Sequence, residues 1–440
     1  FDTVILGSNP SAPANKMEKL SKKLTLYQNI KKLFFPFYKS RVIKNLFSVL
    51  EKDESKDTQV AMFVGGCVRK FLKNEIIDDI DIATIFSPEE IKNKFKNSNF
   101  KIVESGIEHG SIIVVNNSNK FEITTLRQDI KTDGRHAEVL FTDSWKQDSE
   151  RRDFTINAIY MDRKGKLYDP QNGLDDLKNN KINFIGDPVK RIEEDYLRII
   201  RYIRFCVQYE ISHSKPEIIN SIKLNLNGIK NLSKERILSE LYKIFNLKNI
   251  NILLENEEIK NIFLLIFPEF KYLKRLEKYI FLQNPELIFS ILLVDEKDNV
   301  EYFCHRYKIS NKLKKNITFI ADNYIKFKKE KNFFKKDFKK NIYNYGKENI
   351  TLLIKFIYCS ELKFSKKLLD NLLNEIDKIK IPIFPFNGQY LKERGLVEGK
   401  EIGIILKELE KDWLDKDFNL KDEEATAIVA KVKKLSVQNI

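Results

Sequence analysis

The spacing of hydrophobic positions changes partway along this chain. From about Leu20 to Asp53 apolar residues recur at helical intervals, with Ile43, Leu46 and Leu50 on one stripe. Short apolar or alternating runs follow, predicting strands over Val60–Val64, Asp79–Thr84, Lys101–Glu104, Ser111–Asn116, Phe121–Leu126 and Ala158–Asp162. Beyond Asp187 strand patterns nearly vanish, and long apolar-periodic segments broken by Asn- and Lys-rich stretches continue to the end. The two regimes predict an α+β chain, a small mixed-sheet head followed by an elongated all-α neck, body and tail. The expected boundaries are 1–18 for a disordered leader or expression remnant, 19–178 for the head, 179–250 for the neck, 251–340 for the body and 341–440 for the tail.

Composition narrows the class. With 440 residues, 42% of them apolar, the chain can bury several cores. A net charge of +15 implies an anionic partner such as nucleic acid, although Lys, Asn and Ile are abundant throughout. Twelve lysines against four acids between Asn311 and Asn349 supply more than half of that charge, while Ile317, Ile320, Tyr324 and Phe327 keep helical spacing there. This segment reads either as a solvated helix face or as a surface for a nucleic-acid backbone. Cys67, Cys206, Cys304 and Cys359 are scattered and only four His are present, so neither a zinc site nor a disulfide framework is expected and a reducing cytoplasm fits. No apolar run reaches 18 residues, so no membrane span is expected. Phe1–Lys16, ahead of the first Met, lacks the basic and apolar regions of a signal peptide.

The chemistry concentrates between residues 60 and 84. The apolar run Val60–Val64 leads into Gly65 and Gly66 and then an apolar-periodic segment, a strand, a tight turn and a helix start. Two glycines let backbone approach a bulky anion, the free N–H groups of the helix start point at it, and Arg69 stands one turn in. Asp79-Ile80-Asp81-Ile82 follows, and a period of two puts both carboxylates on one strand face. Two adjacent acids repel unless cations bridge them, and Mg²⁺ takes one or two carboxylates together with substrate phosphates. A solvated cluster of Asp78, Asp79 and Asp81 is the bland alternative, and the neighbouring Gly-Gly-x-x-Arg element weighs against it.

The stretch from Met62 to Thr84 resembles the signature of the class II tRNA nucleotidyltransferases, the CCA-adding enzymes, and of the related bacterial poly(A) polymerases within the polymerase β superfamily. The resemblance implies a nucleotidyltransferase head in which Asp79 and Asp81 hold two Mg²⁺ ions, with CTP and ATP as substrates and the tRNA 3′ end as acceptor. Gly65, Gly66 and Arg69 would hold phosphates and sugar. Arg151-Arg152-Asp153-Phe154-Thr155-Ile156-Asn157 matches the second family signature, whose basic residues contact nucleotide, and Asn157 would bond a ribose or orient a neighbour. Glu122, alternating with Thr124 on its strand, is the candidate third catalytic acid. The Arg127–Asp148 segment, with Asp129, Lys131, Asp133, Gly134, Arg135 and His136, resembles the flexible loop of full CCA-adding enzymes.

Further along, helical spacing places Asp195 and Arg198 one turn apart in Glu193-Glu194-Asp195-Tyr196-Leu197-Arg198. An Asp accepts from an exocyclic amine and an Arg donates to the neighbouring ring acceptor, an edge shared by cytosine and adenine and reversed in uracil and guanine. Such a pair would discriminate by about 1–3 kcal/mol per good bidentate contact. The alternative is a surface ion pair worth about 0.2–0.5 kcal/mol. Arg201 and Arg204 continue the basic ridge and suit triphosphate contact. Ser233 reads as the N-cap of a helix resembling the last neck signature, with Arg236 and Glu240 as a structural pair. Glycines at 388, 395, 399 and 403 resemble the family's tail, which grips the tRNA elbow region.

Two departures stand out: Lys70 occupies a position where Asp is common, and Asn74-Glu75 replaces a usual Leu-Gly turn. The reading is therefore a CCA-adding enzyme. The alternatives are a poly(A) polymerase, a CC-only or A-only enzyme, and a catalytically silent RNA-binding relative. Gly106-Ile107-Glu108-His109-Gly110-Ser111 favours the CCA-adding form over the polymerase.

Overall fold

The computed structural model describes residues 36–437 apart from 56–57, 105–106, 108–109, 118, 134–135, 280–281, 283, 296, 331–332, 336 and 396–399. The expected leader and the start of the first helical stretch lie outside the described residues, as do Gly106, Glu108, His109, Gly134, Arg135 and Gly399. Two compact units are present, one through Ile266 and one from Phe267.

The first unit is built on a seven-stranded sheet of order β3-β4-β5-β2-β1-β8-β9. Its strands are β1 (Ala61–Val64), β2 (Ile80–Thr84), β3 (Lys101–Val103), β4 (Ser111–Asn116), β5 (Asn119–Thr125), β8 (Tyr160–Met161) and β9 (Leu167–Tyr168). Every ladder is antiparallel except β2 with β5. All four residues of β1 are buried, which is why it reads as an unbroken apolar run. Helix α1 (Arg41–Leu50) starts at Ser40, whose hydroxyl accepts from the Ile43 N–H. It buries Ile43, Leu46, Phe47 and Leu50, and the Phe47 ring lies 4.9 Å from Phe63 on β1. The stripe seen in the sequence is the face that covers the sheet.

All six expected strands are present, with β8 shorter than anticipated. The Arg127–Asp148 segment is no simple loop. It forms a separate hairpin, β6 (Arg127–Asp133) with β7 (His136–Phe141), followed by helix α4 (Trp145–Glu150). Its polar composition hid the strands, whereas Asp133-Gly134 is a hairpin-turn dipeptide that pointed to them.

Helices α2 (Gly66–Leu72) and α3 (Pro88–Phe95) precede α4. After it come α5 (Gly173–Lys178), α6 (Pro188–Glu194), α7 (Leu197–Gln208), α8 (Pro216–Asn225) and α9 (Lys234–Phe245). Asp195 is extended, at φ −157° and ψ 103°, so the continuous helix expected across 193–205 is broken between α6 and α7. Tyr196 fills the break, its ring lying where a side chain on Gly228 would have to be. At Ser233 the position is that of an N-cap, but the hydroxyl makes no capping bond.

Among its described residues the second unit contains helices and no strand. Rings of Phe267, Phe270, Phe289, Phe303 and Tyr307 pack together in one part of it. Another cluster gathers Phe386, Leu391, Ile405, Leu409, Trp413 and Leu420. In the long helix Asn311–Lys329 the residues Leu313, Ile317, Ile320 and Tyr324 are buried while the lysines face outward, two of them paired with Glu286 and Glu361. Asn387 caps the helix Gly388–Lys392, Gly395 sits at φ +78°, and Gly403 lies inside the helix Lys400–Asp415. Among the described residues no helix is long and apolar enough to cross a membrane.

Gly173 opens α5 directly under the turn Thr155–Asn157, and a Cβ there would overlap the Thr155 carbonyl. Gly173→Ala should therefore destabilise the first unit by about 1–3 kcal/mol. A thermal melt that does not move would show that the turn has room to yield.

Candidate active site

The end of β1 and the start of α2 form the strand-turn-helix anticipated from the glycine pair. Gly65 adopts φ +72°, a backbone state that side-chain-bearing residues rarely enter. A Cβ at that position would lie 3.8 Å from both Arg152 Nη1 and Asp81 Oδ2, so the turn runs beside a guanidinium and a carboxylate at once. Space around Gly66 is open.

Parallel pairing of β2 with β5 sets Asp81 opposite Glu122, while Asp79 precedes the first residue of β2 and is exposed. Burial pushes the Asp81 carboxyl up to about 6, Glu122 and Asp79 push the same way, and Arg152 and Arg69 oppose them. Asp81 is thus a carboxylate short of positive charge. Among the described residues no three His, Cys, Asp or Glu side chains form a closed metal cage. Two carboxylates in an under-neutralised setting still fit Mg²⁺, which keeps water and phosphate oxygens in its other positions. Beneath them Cys67 is buried, its thiol 3.3 Å from the Val64 carbonyl and pushed up to about 12 by burial first and Asp81 second, so it is an inert packing group.

The two departures from the family pattern have local explanations. Lys70 forms an ion pair with Asp78, whose carboxylate in turn accepts from the Asp79 N–H at 3.0 Å. Asn74 takes φ +59°, a left-handed state that Asn tolerates better than most residues. Glu75 accepts from Gln208 on α7 at 2.7 Å.

The arginines divide into two groups. Arg151 and Arg152 both bond Asp148, a fully buried carboxylate on α4. Burial alone would raise Asp148, but Arg152, Arg151 and the Tyr160 hydroxyl hold it far below the usual carboxylate range. Arg69 does not reach out from its helix as expected. It is buried, stacks 4.7 Å over the Phe205 ring, donates to Tyr209 Oη at 2.7 Å and to Asn157 Oδ1. Asn157 passes the connection on, donating to Asp153 Oδ1 at 2.8 Å, and Asp153 meets Arg201 at 2.7 Å. Asn157 is thus hydrogen-bonded between Arg69 and Asp153.

The side chains of Asp195 and Arg198 do not pair with each other, although the Arg198 N–H donates to the Asp195 carbonyl at 3.0 Å. Asp195 Oδ2 accepts from Arg236 and Oδ1 from the Leu197 N–H, at 2.7 and 3.1 Å. Arg198 donates through Nη1 to Glu194 and to the Arg191 carbonyl, at 2.6 and 2.7 Å. The expected Arg236–Glu240 pair is replaced likewise: Glu240 is buried and takes Arg204 at 2.7 Å and Lys243 at 2.8 Å. Arg204 also lies 4.2 Å over Phe205, so it braces α7 against α9 and is not a free end of the basic ridge. Beside these helices an open depression of about 340 Å³ is lined by Gln128, Asp129, Gln147, Arg151, Arg191 and Glu194, among others. Asp148 was missed in the sequence although its spacing of three and four from Arg151 and Arg152 is a helix-pair signal. The pairings of Arg236 with Asp195 and of Tyr209 with Arg69 carried no local signal, since the partners lie 41 and 140 residues apart.

Residues 61–183 match the family described as the poly A polymerase head domain. The chain is 33% identical to CCA tRNA nucleotidyltransferase 1, mitochondrial, of Homo sapiens over 91% of this chain and 93% of that protein. It is 30% identical to a CCA-adding enzyme of Streptococcus uberis over 80% of this chain and 87% of that one. Its fold resembles the Bacillus stearothermophilus CCA-adding enzyme in complex with CTP, with a TM-score of 0.71 at 22% identity, spanning 91% of this chain and all of the other. The Thermotoga maritima CCA-adding enzyme complexed with tRNA gives 0.62 at 21% identity over 93% and 98% of the two chains.

The raised Asp81 carboxyl has a stability consequence. A carboxyl whose folded value lies above its unfolded one stabilises the fold only while protonated, so this contribution is lost as pH rises from about 3.8 to about 6 and is a penalty at neutrality. Asp81→Asn should then stabilise the metal-free protein at pH 7 by about 1–3 kcal/mol. Melts in chelator check it; an unchanged or lower Tm would show that the carboxylates are already neutralised.

Proposed function

Because the chain belongs to the family of CCA-adding tRNA nucleotidyltransferases, we propose that it adds C, C and A to the tRNA 3′ end from CTP and ATP without a nucleic-acid template. The observation that carries this is similarity to such enzymes along most of both chains, joined to intact carboxylates at Asp79 and Asp81. Those two residues would hold divalent ions, which we take to be two Mg²⁺. Bound there, the ions would neutralise the triphosphate and activate the terminal hydroxyl. Glu122, opposite Asp81, is the candidate third acid. Gly65 and Gly66 leave room for phosphate, and Arg152 turns Nη1 toward it. Arg69, Asp153, Asn157 and Arg201 hold the nucleotide-facing surface in shape from behind.

Base selection falls to Asp195 and Arg198. A carboxylate offers about four acceptor sites and a guanidinium five donors, so neither group is saturated by the bonds described above. Arg236 and Glu194 act as fixed partners that orient each group while leaving an edge for cytosine or adenine. Residues 341–440 are proposed to grip the tRNA elbow, and the lysine-rich helix Asn311–Lys329 adds positive charge. A reducing compartment suits the four free thiols. We take it to be the cytoplasm, although the human relative is named as mitochondrial.

Purified protein with Mg²⁺ should extend tRNAs ending before CCA, after C and after CC by the missing nucleotides, then stop. Unlimited A addition would mean a poly(A) polymerase, and extension limited to CC or to A a partial enzyme. No extension of any substrate would leave RNA binding alone. Asp79→Ala and Asp81→Ala should each abolish extension while leaving tRNA binding in place. Asp195→Ala should relax discrimination of CTP against UTP by about ten- to a hundredfold, the equivalent of one bidentate base contact; unchanged selectivity would move the selector elsewhere.

A further inference from the structure

We propose that Asp148 is a positioning residue for nucleotide binding, acting through Arg152; the proposal rests on the nucleotidyltransferase reading above. Asp148 sits on the short helix α4 with no solvent exposure. Each of its oxygens receives three donors. Oδ1 takes Arg151 Nε at 2.8 Å, Arg151 Nη2 at 2.7 Å and the Arg127 N–H at 3.3 Å. Oδ2 takes Arg152 Nε at 3.2 Å, Arg152 Nη2 at 2.9 Å and the Tyr160 hydroxyl at 2.7 Å. A buried ion held this densely contributes little to stability that an apolar residue of similar size would not, because its desolvation offsets its Coulombic gain. What the arrangement supplies is direction.

A guanidinium is planar, so fixing two of its nitrogens fixes the third. With Nε and Nη2 of Arg152 turned onto Asp148, Nη1 is the nitrogen left over, and it lies beside Gly65 and Asp81. Tyr160 completes the mount. Its hydroxyl also accepts from Arg152 Nε at 3.2 Å, and on β8 it pairs in register with Val64, the residue before Gly65. Tyr160, which holds the donor, and the glycine turn that the donor faces are therefore carried by adjacent strands. A donor aimed in advance at the position of a phosphate oxygen needs no reorganisation when substrate arrives. Through the Arg127 N–H the same carboxylate ties down the root of the β6–β7 hairpin.

The test is a double-mutant cycle with Asp148→Asn and Arg152→Ala, read by KM and kcat for CTP and ATP on tRNA acceptors and by direct titration of CTP onto the enzyme. Asp148→Asn should raise KM for both nucleotides and weaken CTP binding by about tenfold or more, with the preference for CTP over UTP unchanged. It should add nothing further in the Arg152→Ala background. Because Asp148→Asn can also weaken folding, Tyr160→Phe serves as a milder variant, expected to raise KM severalfold. Equal losses with and without Arg152, or a lower Tm at unchanged KM and CTP affinity in Asp148→Asn and Tyr160→Phe, would overturn the proposal and make Asp148 a structural anchor. Failure of the unaltered protein to extend any tRNA would instead sink the nucleotidyltransferase reading, and the CTP titration would still decide the role of Asp148.

Discussion

Like-charge repulsion between carboxylates is the constraint around which the head is organised. The parallel register of β2 and β5 sets Asp81 opposite Glu122, with Asp79 just ahead on the same chain segment, and burial adds to the cost of ionising Asp81. Left alone, such a group would take up a proton and lose its value as an oxygen ligand. Arg152 and Arg69 offset part of that cost, and a bound cation would supply the rest. Both arginines are themselves held: Arg152 by Asp148 and Tyr160, Arg69 by Tyr209 and Asn157. Asp81 thus lies in the field of two arginines, each of which is held in place by further charge-assisted bonds.

These bonds also explain why the helical part of the first unit cannot be treated as separate from the sheet. Tyr209–Arg69–Asn157–Asp153–Arg201 begins at the end of α7, crosses α2 and the Thr155–Asn157 turn, and returns to α7. Rings of Phe154, Phe184 and Tyr202 pack around the same region, so the polar path runs alongside an apolar one. Arg204, braced by Glu240 on α9 and stacked on Phe205, extends the rigidity outward. Basic residues that look interchangeable as a ridge along α7 therefore have different duties, set by which carboxylate stands opposite each.

The proposed base selectors show the same logic. Asp195 lies in a break between helices and not on one of them, and Arg236 and Glu194 hold it and Arg198 apart. Two groups that neutralised each other would present little to a base. Separate anchors let each keep free acceptor or donor capacity.

The sequence by itself determined the elements and the kind of chemistry. Apolar or alternating runs marked the strands, the Ile43–Leu50 stripe marked α1, and the Gly65-Gly66 turn with Asp79 and Asp81 marked the expected nucleotide-handling chemistry. Each of these is legible because its physical cause is local: strand burial has a period of two, a helix face a period of 3.6, and a left-handed turn selects glycine. The β6–β7 hairpin was missed because polar strands carry no such alternation. Partners were missed for a different reason. Whether Arg69 faces solvent or Asn157, whether Asp195 meets Arg198 or Arg236, and whether Asp148 is a surface acid or a buried hub depend on groups brought together from distant positions. Charge neutralisation inside a low-dielectric interior is satisfied across space, not along the chain, so only the tertiary structure could decide it.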